Sequence, residues 1–235
     1  MESPLLTTLG LGFLLGMGHA LDADHVVAVS AMVSQHRSVR RASLVGILWG
    51  VGHTTTLLLT GVLVILFKVT VPARLALSME LGVGIVLVAL GASVLGGYLT
   101  GRVHAHAHRH GGDLHVHFHS HAAGEGHEHE HPVLDYRRSV LVGMLHGLAG
   151  SAALMLLVLA TIRTPALGLA YILIFGAGSI LGMLGISSLL GLPFALMAER
   201  YVGIHRSLQI AVGAASVLYG AWIGVSVVIS EGLLR

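Results

Sequence analysis

Six long runs of apolar residues divide this chain, and they restrict its fold more than any other feature of the sequence. A bilayer-spanning helix needs about 20 mostly apolar residues, because each residue advances it by about 1.5 Å. Only 10% of the residues are charged, whereas soluble domains carry about 25%. The sequence predicts an all-α polytopic membrane protein whose six transmembrane helices lie at roughly 4–33, 42–67, 75–100, 139–161, 166–198 and 207–230.

The first and fifth runs are too long for one straight span each, so we expect a break or a tilted extension in both. The candidate positions are residues that interrupt helices, namely Gly16 and Gly18 in the first run and Gly191 and Pro193 in the fifth. Each span also contains two glycines four positions apart, a spacing that lets helices approach closely in lipid. We interpret these pairs as a sign of tight helix packing.

Three short motifs recur in the same order at nearly one offset, which indicates an internal repeat. The paired segments are 16–21 with 143–148, 49–52 with 175–178, and 92–95 with 215–218. An odd number of spans in each half reverses the second half. The sequence therefore predicts a 3+3 inverted repeat, with three spans in 1–100, three in 139–235 and a loop at 101–138. Transporters of this kind bind their substrate near mid-membrane, where the repeats meet.

Four polar groups interrupt the first apolar run: His19, Asp22, Asp24 and His25. Charged groups at bilayer depth cost about 2.5–3.5 kcal/mol each, so they need partners. Imidazoles with carboxylates suit a divalent transition-metal ion such as nickel or cobalt. On a continuous helix Asp24 would point away from the other three. Either the helix unwinds at this motif, or Asp24 acts indirectly by holding an imidazole.

Two further histidines lie inside other predicted spans, His53 in the second and His146 in the fourth. Counting along the predicted helices puts His19 and His146 about 9–10 Å from the cytoplasmic face, on helices of opposite direction. We therefore expect His146 to face the same central metal site as His19, and we include His53 in that site. The alternative for each is a hydrogen bond between helices, which for His146 would go to Ser151 or a backbone carbonyl.

Segment 101–138 is rich in histidine and is a second, low-affinity candidate for metal binding. Its glycines predict a flexible loop that is disordered without metal, and the alternative is a solvated spacer. Such tracts bind Ni, Zn and Cu alike. The histidines are His104, His106, His108, His110, His115, His117, His119, His121, His127, His129 and His131.

Basic residues predict the topology, because cytoplasmic loops carry an excess of them. They concentrate in loops 34–41, 101–138 and 199–206. We expect these loops in the cytoplasm and both termini outside, in a multi-pass protein of the inner (plasma) membrane. The absence of cysteine excludes disulfides and thiolate ligands, and the net charge of +2 gives no reason to expect a nucleic-acid partner.

The segment from His19 to His25 resembles the H-x4-D-H signature of the nickel/cobalt transporter family, and Gly52-His53-Thr54 resembles a Gly-His-Ser/Thr motif of its following helix. Six spans with a central His-rich loop are similar to its urease-accessory nickel permease branch. Longer members have eight spans and further signatures that this chain lacks. The resemblance implies uptake of Ni²⁺ or Co²⁺ without ATP or a cofactor. Implied partners are a cytoplasmic metallochaperone or the maturation proteins of urease or hydrogenase.

Two other functions are compatible with these residues. A nickel or cobalt exporter also has His-rich cytoplasmic loops, but exporters have Gly where this chain has Asp24. An intramembrane metalloenzyme would also use histidine ligands, but the chain has no H-E-x-x-H motif. The membrane potential favours import, since two charges moving inward gain about 4.6 kcal/mol per 100 mV. We therefore predict an uptake permease that is not an enzyme.

Overall fold

The computed structural model describes residues 2–68, 72–99, 103–110, 113–120, 132–149 and 164–230. Its helices are α1 (Glu2–His19), α2 (Ala23–Val33), α3 (Val39–Phe67), α4 (Ala73–Leu99), α5 (Pro132–Leu148), α6 (Pro165–Arg200) and α7 (Val202–Val225), the last continued by the π-helical turn Ser226–Ser230. Two antiparallel strands, β1 (Val103–His110) and β2 (Asp113–Ser120), lie between α4 and α5.

Four helices in the described part of the chain are long and apolar enough to cross a membrane, and they match the second, third, fifth and sixth predicted spans. They are Val39–Phe67, Ala73–Gly97, Pro165–Ala198 and Val202–Ile229. Their outer surfaces are apolar, and Leu189 and Leu218 expose 66% and 71% of their area. Histidines and serines are buried instead. Polar groups buried among apolar side chains, under an apolar outer surface, are unlike a soluble domain and indicate a membrane protein.

The first predicted span is two short helices, because α1 and α2 are separated by three residues. The expected break is therefore present, but its candidate positions, Gly16 and Gly18, are wrong, since both residues remain in α1. The backbone N–H of Asp22 donates to the carbonyl of His19 at 3.1 Å and closes α1 with a tight turn. Gly16 instead allows α1 to pack closely on α6, because a side chain there would overlap the carbonyl oxygen of Phe175. The helix therefore unwinds inside the polar motif.

The predicted break at Gly191 or Pro193 is also wrong, because α6 runs through both residues as one helix. A side chain at Gly191 would overlap the Cβ of Ala42 on α3, so this glycine allows close packing. Proline is tolerated in membrane helices where neighbouring groups satisfy the freed carbonyl. The 36 residues of α6 measure about 54 Å, so the helix must tilt in or extend beyond a hydrocarbon layer of about 30 Å.

The fourth predicted span, 139–161, is described only through Ala149, just after the end of α5. Residues 150–163 lie outside the described part of the chain. The six-span count therefore stays a prediction, and so does Ser151 as an alternative partner of His146.

The His-rich segment contains two strands where we expected a flexible loop that is disordered without metal, whereas the remaining elements of the described chain are helices. Regular alternation of residues is compatible with the period of two in a β-strand. The register aligns histidines across the hairpin, as His104 with His119, His106 with His117 and His108 with His115, while His110 lies opposite Asp113. The remaining histidines of the segment, His121, His127, His129 and His131, lie outside the described residues.

Helices α3 and α6 form the centre of the bundle and run antiparallel, and α4 packs against α7. The Ser43 hydroxyl lies 2.7 Å from that of Ser188. The Thr54 hydroxyl donates to the carbonyl of Gly176 at 3.3 Å. From the first contact to the second, the chain advances eleven residues on α3 and goes back twelve on α6, so the two helices are antiparallel. A side chain at Gly84 of α4 would lie 2.9 Å from the carbonyl of Gly220 on α7. Glycines therefore set the close approach of these helices.

Two further helix pairs also join the two halves of the chain: α1 packs on α6, and α5 packs on α3. Side chains at Gly12 and Gly16 would overlap Tyr171 and Phe175, so α1 and α6 are parallel. A side chain at Gly143 would overlap the Trp49 carbonyl, and one at Gly147 would lie 2.6 Å from the His53 carbonyl, so α5 and α3 are parallel. Because α3 and α6 are antiparallel, α1 and α5 run in opposite directions.

Candidate metal centre

The break between α1 and α2 lets the polar motif fold onto itself. The His19 Nδ1 lies 2.7 Å from Asp22 Oδ2, and His25 Nδ1 donates to the His19 carbonyl at 2.9 Å. Asp24 lies in the first turn of α2, where the helix dipole favours a carboxylate, and its Oδ2 is 3.9 Å from His25 Nε2. With Nδ1 as the donor in both rings, Nε2 of each ring is an acceptor that can bind a metal.

His53 of α3 and His146 of α5 join this motif in the interior. The ring centroid of His53 lies 5.2 Å from that of His19 and 5.1 Å from that of His25. The His146 centroid lies 5.7 Å from that of His25, and its Nδ1 donates to the carbonyl of Val142 at 2.9 Å. Four imidazoles from four helices therefore form one group, which we call the His cluster: His19, His25, His53 and His146.

Ring nitrogens of the His cluster lack hydrogen-bond partners among the described residues. They are Nε2 of His19, both ring nitrogens of His53, and Nε2 of His146. His53 and His146 expose 0% and 1% of their area. A buried polar atom without a partner costs about 1–3 kcal/mol, and a divalent cation is the partner that several imidazoles satisfy together.

The spacing of three rings suits a single ion. Ligand atoms of His19, His25 and His53 all lie within 4.8 Å of one another. Metal–nitrogen bonds of about 2.1 Å hold nitrogens no more than about 4.2 Å apart, so small ring rotations bring this group onto one ion.

The two carboxylates form a more exposed group with His25. Ligand atoms of Asp22, Asp24 and His25 also lie within 4.8 Å of one another. The side chains of Asp22 and Asp24 are 53% and 28% exposed, whereas that of His25 is 1% exposed. His25 belongs to both groups. It therefore connects the accessible carboxylates with the buried imidazoles in one continuous set of candidate ligands.

His19 and His146 both lie beside His25, with ring centroids 4.5 Å and 5.7 Å from that of His25. Their centroids are no farther apart than the sum of these distances. Both helices end at the cluster, α1 at His19 and α5 at Leu148. The carbonyl ends of helices carry partial negative charge, which favours a cation. The sequence prediction that these two histidines face one region is compatible with this geometry.

Three buried residues at the level of the cluster were not predicted as site residues: Trp49 and Phe175, which contact its rings, and Ser179, whose backbone lies near Gly16. Trp49 stacks on His53 with a 14° interplanar angle, and Phe175 lies 5.7 Å from His19. Ser179 is fully buried and its hydroxyl has no partner among the described residues. The predicted repeat carried a signal for them, because an offset of 126 pairs Trp49 with Phe175 and His53 with Ser179.

A curated relative matches nearly the whole chain. The chain is 39% identical over 231 residues to the urease accessory protein UreH of Bacillus sp. (strain TB-90), which covers 98% of this chain and 96% of that protein. No family model matches the chain. No solved structure matches it either.

Proposed function

Because this chain belongs to the family of the urease accessory protein UreH, we propose that it is a membrane permease that imports Ni²⁺ or Co²⁺. The His cluster, with Asp22 and Asp24, would hold the ion on its way through the bilayer. The resemblance of His19–His25 to the nickel/cobalt transporter signature supports this role. In this proposal the metal is the transported substrate, and the protein is not an enzyme and needs no cofactor.

The observation that carries the proposal is the set of ring nitrogens in the His cluster that have no hydrogen-bond partner in the described part of the chain. Imidazole suits Ni, Co, Cu and Zn, whereas Mg and Ca prefer all-oxygen sites. The ring orientations support metal binding, since an acceptor holds Nδ1 of His19, His25 and His146. Such contacts fix the tautomer that leaves Nε2 unprotonated.

The membrane potential is sufficient to drive import. Two charges moving inward gain about 4.6 kcal/mol per 100 mV, which sustains a concentration ratio of about 10³ at 1.36 kcal/mol per decade. We therefore propose transport driven by the membrane potential or an ion gradient. Efflux would need coupling to another gradient.

We further propose six spans arranged as a 3+3 inverted repeat. Equivalent contacts support it: Gly16 packs on the Phe175 carbonyl as Gly143 packs on the Trp49 carbonyl, at offsets of 127 and 126. The opposite directions of α1 and α5 also support it. Matching turns follow both histidines, as the N–H of Ala149 donates to the His146 carbonyl at 3.2 Å just as the N–H of Asp22 donates to that of His19.

The proposed location is the inner membrane, with both termini outside and segment 101–138 in the cytoplasm, as the basic loops predict. There the segment would bind metal with low affinity as it arrives. The partners that fit this position are a cytoplasmic metallochaperone or the maturation proteins of urease or hydrogenase.

A direct test uses Trp49 as a reporter of metal binding. Trp222 is 60% exposed, so Trp222→Phe leaves Trp49 as the sole tryptophan, and a Gly/Ser linker in place of 104–131 removes the His-rich segment. We expect Ni²⁺ and Co²⁺, but not Mg²⁺, to quench its fluorescence saturably. His146→Ala should raise the metal concentration at half-maximal quenching at least tenfold.

His205→Ala is the matched control, because that ring packs on Phe194 (5.9 Å between centroids) and its Nδ1 also has no partner within the described ranges. It should leave the quenching unchanged. Accumulation of radiolabelled nickel by cells gives the direction of transport, and cells that retain less nickel with the protein than without it would contradict uptake.

A further inference from the structure

A small pocket lies on one side of the His cluster, bounded by the same helices. Its lining consists of Met32, Gln35, His36, Val45, Arg138 and Ser139, and we call it the vestibule. Met32 follows His25 on α2 by seven residues, Val45 precedes His53 on α3 by eight, and Ser139 precedes His146 on α5 by seven. At about 1.5 Å per residue the vestibule lies about 10–12 Å from the cluster along all three helices.

Trp49 lies between the vestibule and the His cluster. It is one helical turn beyond Val45 and is 0% exposed. Its ring centroid lies 4.6 Å from His25, 5.4 Å from His53 and 5.3 Å from His146. An ion leaving the cluster between α2, α3 and α5 would therefore meet the indole first.

The backbone of Trp49 is fixed by close packing, whereas its indole is held by ring contacts alone among the described residues. The Trp49 carbonyl packs against Gly143 of α5, which fixes the helix at this level. The indole Nε1 has no acceptor among the described residues, so no hydrogen bond holds the ring. Rotation about the side-chain torsions would open the cluster toward the vestibule without separating α3 from α5.

We propose that the vestibule is the release side of the ion pathway and that the Trp49 side chain separates it from the His cluster until the ion is released. This inference rests on the proposed function, because the cluster must bind an ion for release to have meaning. The ligand is a divalent transition-metal ion that regains water as it leaves.

The vestibule has the chemistry of a release site. The Met32 thioether, Gln35 amide and His36 imidazole can replace water on a borderline metal ion. Arg138, whose guanidinium donates to the Ser93 hydroxyl at 3.1 Å, lines the same pocket and repels a cation. The pocket therefore favours departure of the ion over storage.

The test is thiol labelling, for which a chain with no cysteine is a clean background. Gln35→Cys reports from the vestibule, in front of Trp49. Ser179→Cys reports from the opposite side of Trp49, nearer His53. Gly50 packs on Ile180 and Thr54 on Gly176, so Ser179 lies beside the part of α3 that follows Trp49. A membrane-impermeant methanethiosulfonate is applied from either face of oriented vesicles.

We expect Trp49→Ala to raise the labelling rate of Ser179→Cys at least tenfold from the vestibule face only, and Trp49→Phe to leave it low. Gln35→Cys should label equally in all variants, which shows that the vestibule is intact. Phe175→Ala is the matched control, since this ring contacts His19 and should not open the vestibule side. If Trp49→Ala does not reach the membrane, Trp49→Leu replaces it.

Unchanged labelling of Ser179→Cys, or an equal rise from both faces, would overturn the assignment of Trp49. The labelling needs no metal, so it separates this inference from the proposed function. Labelling as expected without quenching by Ni²⁺ or Co²⁺ would refute metal transport and with it release of an ion. Quenching without the labelling change would refute the role of Trp49 alone.

Discussion

Replacing Asp22 with Asn tests how the cluster orients its first ligand. The carboxylate lies 2.7 Å from His19 Nδ1, so it selects the tautomer whose Nε2 can bind a metal. An Asn side chain has nearly the same shape but no charge, and its NH₂ group can face the ring instead. We expect Ni²⁺ to bind more weakly, while the fold and the other three imidazoles stay unchanged.

The size of the effect follows from the exposure of Asp22. Loss of a group that orients a metal-binding histidine typically lowers metal affinity by about 10–100-fold. The side chain of Asp22 is 53% exposed, so water can replace part of its contact with the ring. We therefore expect the lower end, about tenfold, which corresponds to about 1.4 kcal/mol.

The assay is a Ni²⁺ titration of Trp49 fluorescence in the Trp222→Phe protein that lacks 104–131. Asp22→Asn should shift the midpoint about tenfold without lowering the maximal quenching, because Trp49 has the same three histidine neighbours. Asp22→Glu should recover part of the shift. A midpoint within twofold of the parent, or complete loss of quenching, would show that Asp22 does not act by orienting His19.

Three further predictions concern transport and packing. Replacing 104–131 by a Gly/Ser linker should leave nickel uptake intact and change metal loading, because the segment lies outside the spans; loss of uptake at normal expression would contradict this. Gly143→Ala should destabilise the protein by about 1–3 kcal/mol in a denaturant titration, since its Cβ would overlap the Trp49 carbonyl. Gly18→Ala should have little effect, because no atom of the described residues beyond its own turn lies within 4 Å of the new Cβ. Nickel uptake should be nearly abolished by Ala at His19 or His25 or by Asn at Asp24, and substantial uptake by any of these variants would contradict the proposed ligand roles.

The long helices could be predicted from sequence because length and hydropathy alone decide them. The predicted span 166–198 corresponds to α6, and 75–100 to α4. The break in the first span was misplaced because glycine has a low helix propensity, so Gly16 is a plausible break when its packing is unknown. Only the packed bundle shows that Gly16 faces the Phe175 carbonyl. The strands at 103–110 and 113–120 were missed because the glycines of this segment suggested flexibility.

The histidines of the candidate site could be predicted because an ionisable group at bilayer depth stands out in any sequence. Trp49 and Phe175 could not, since aromatic residues are ordinary in apolar helices and only helix rotation decides which of them faces the cluster. Ser179 has the same difficulty. The predicted repeat pairs these residues with the first half of the chain, but this pairing becomes useful only once the fold places His53 in the His cluster.

Helices of the first half pack mainly on helices of the second half, and this affects how the protein folds during its synthesis. Translation completes α1 at His19, but its partner α6 ends only at Arg200. At about 5–20 residues per second, α1 waits roughly 10 to 40 s for that partner. During this time the ribosome delivers α3, which in turn must wait for α5. Neither half can bury its own glycine-lined surfaces alone, so the bundle closes only after the last helices leave the translocon. Two separately synthesised halves, cut within the His-rich segment, carry complementary surfaces and should assemble when expressed together.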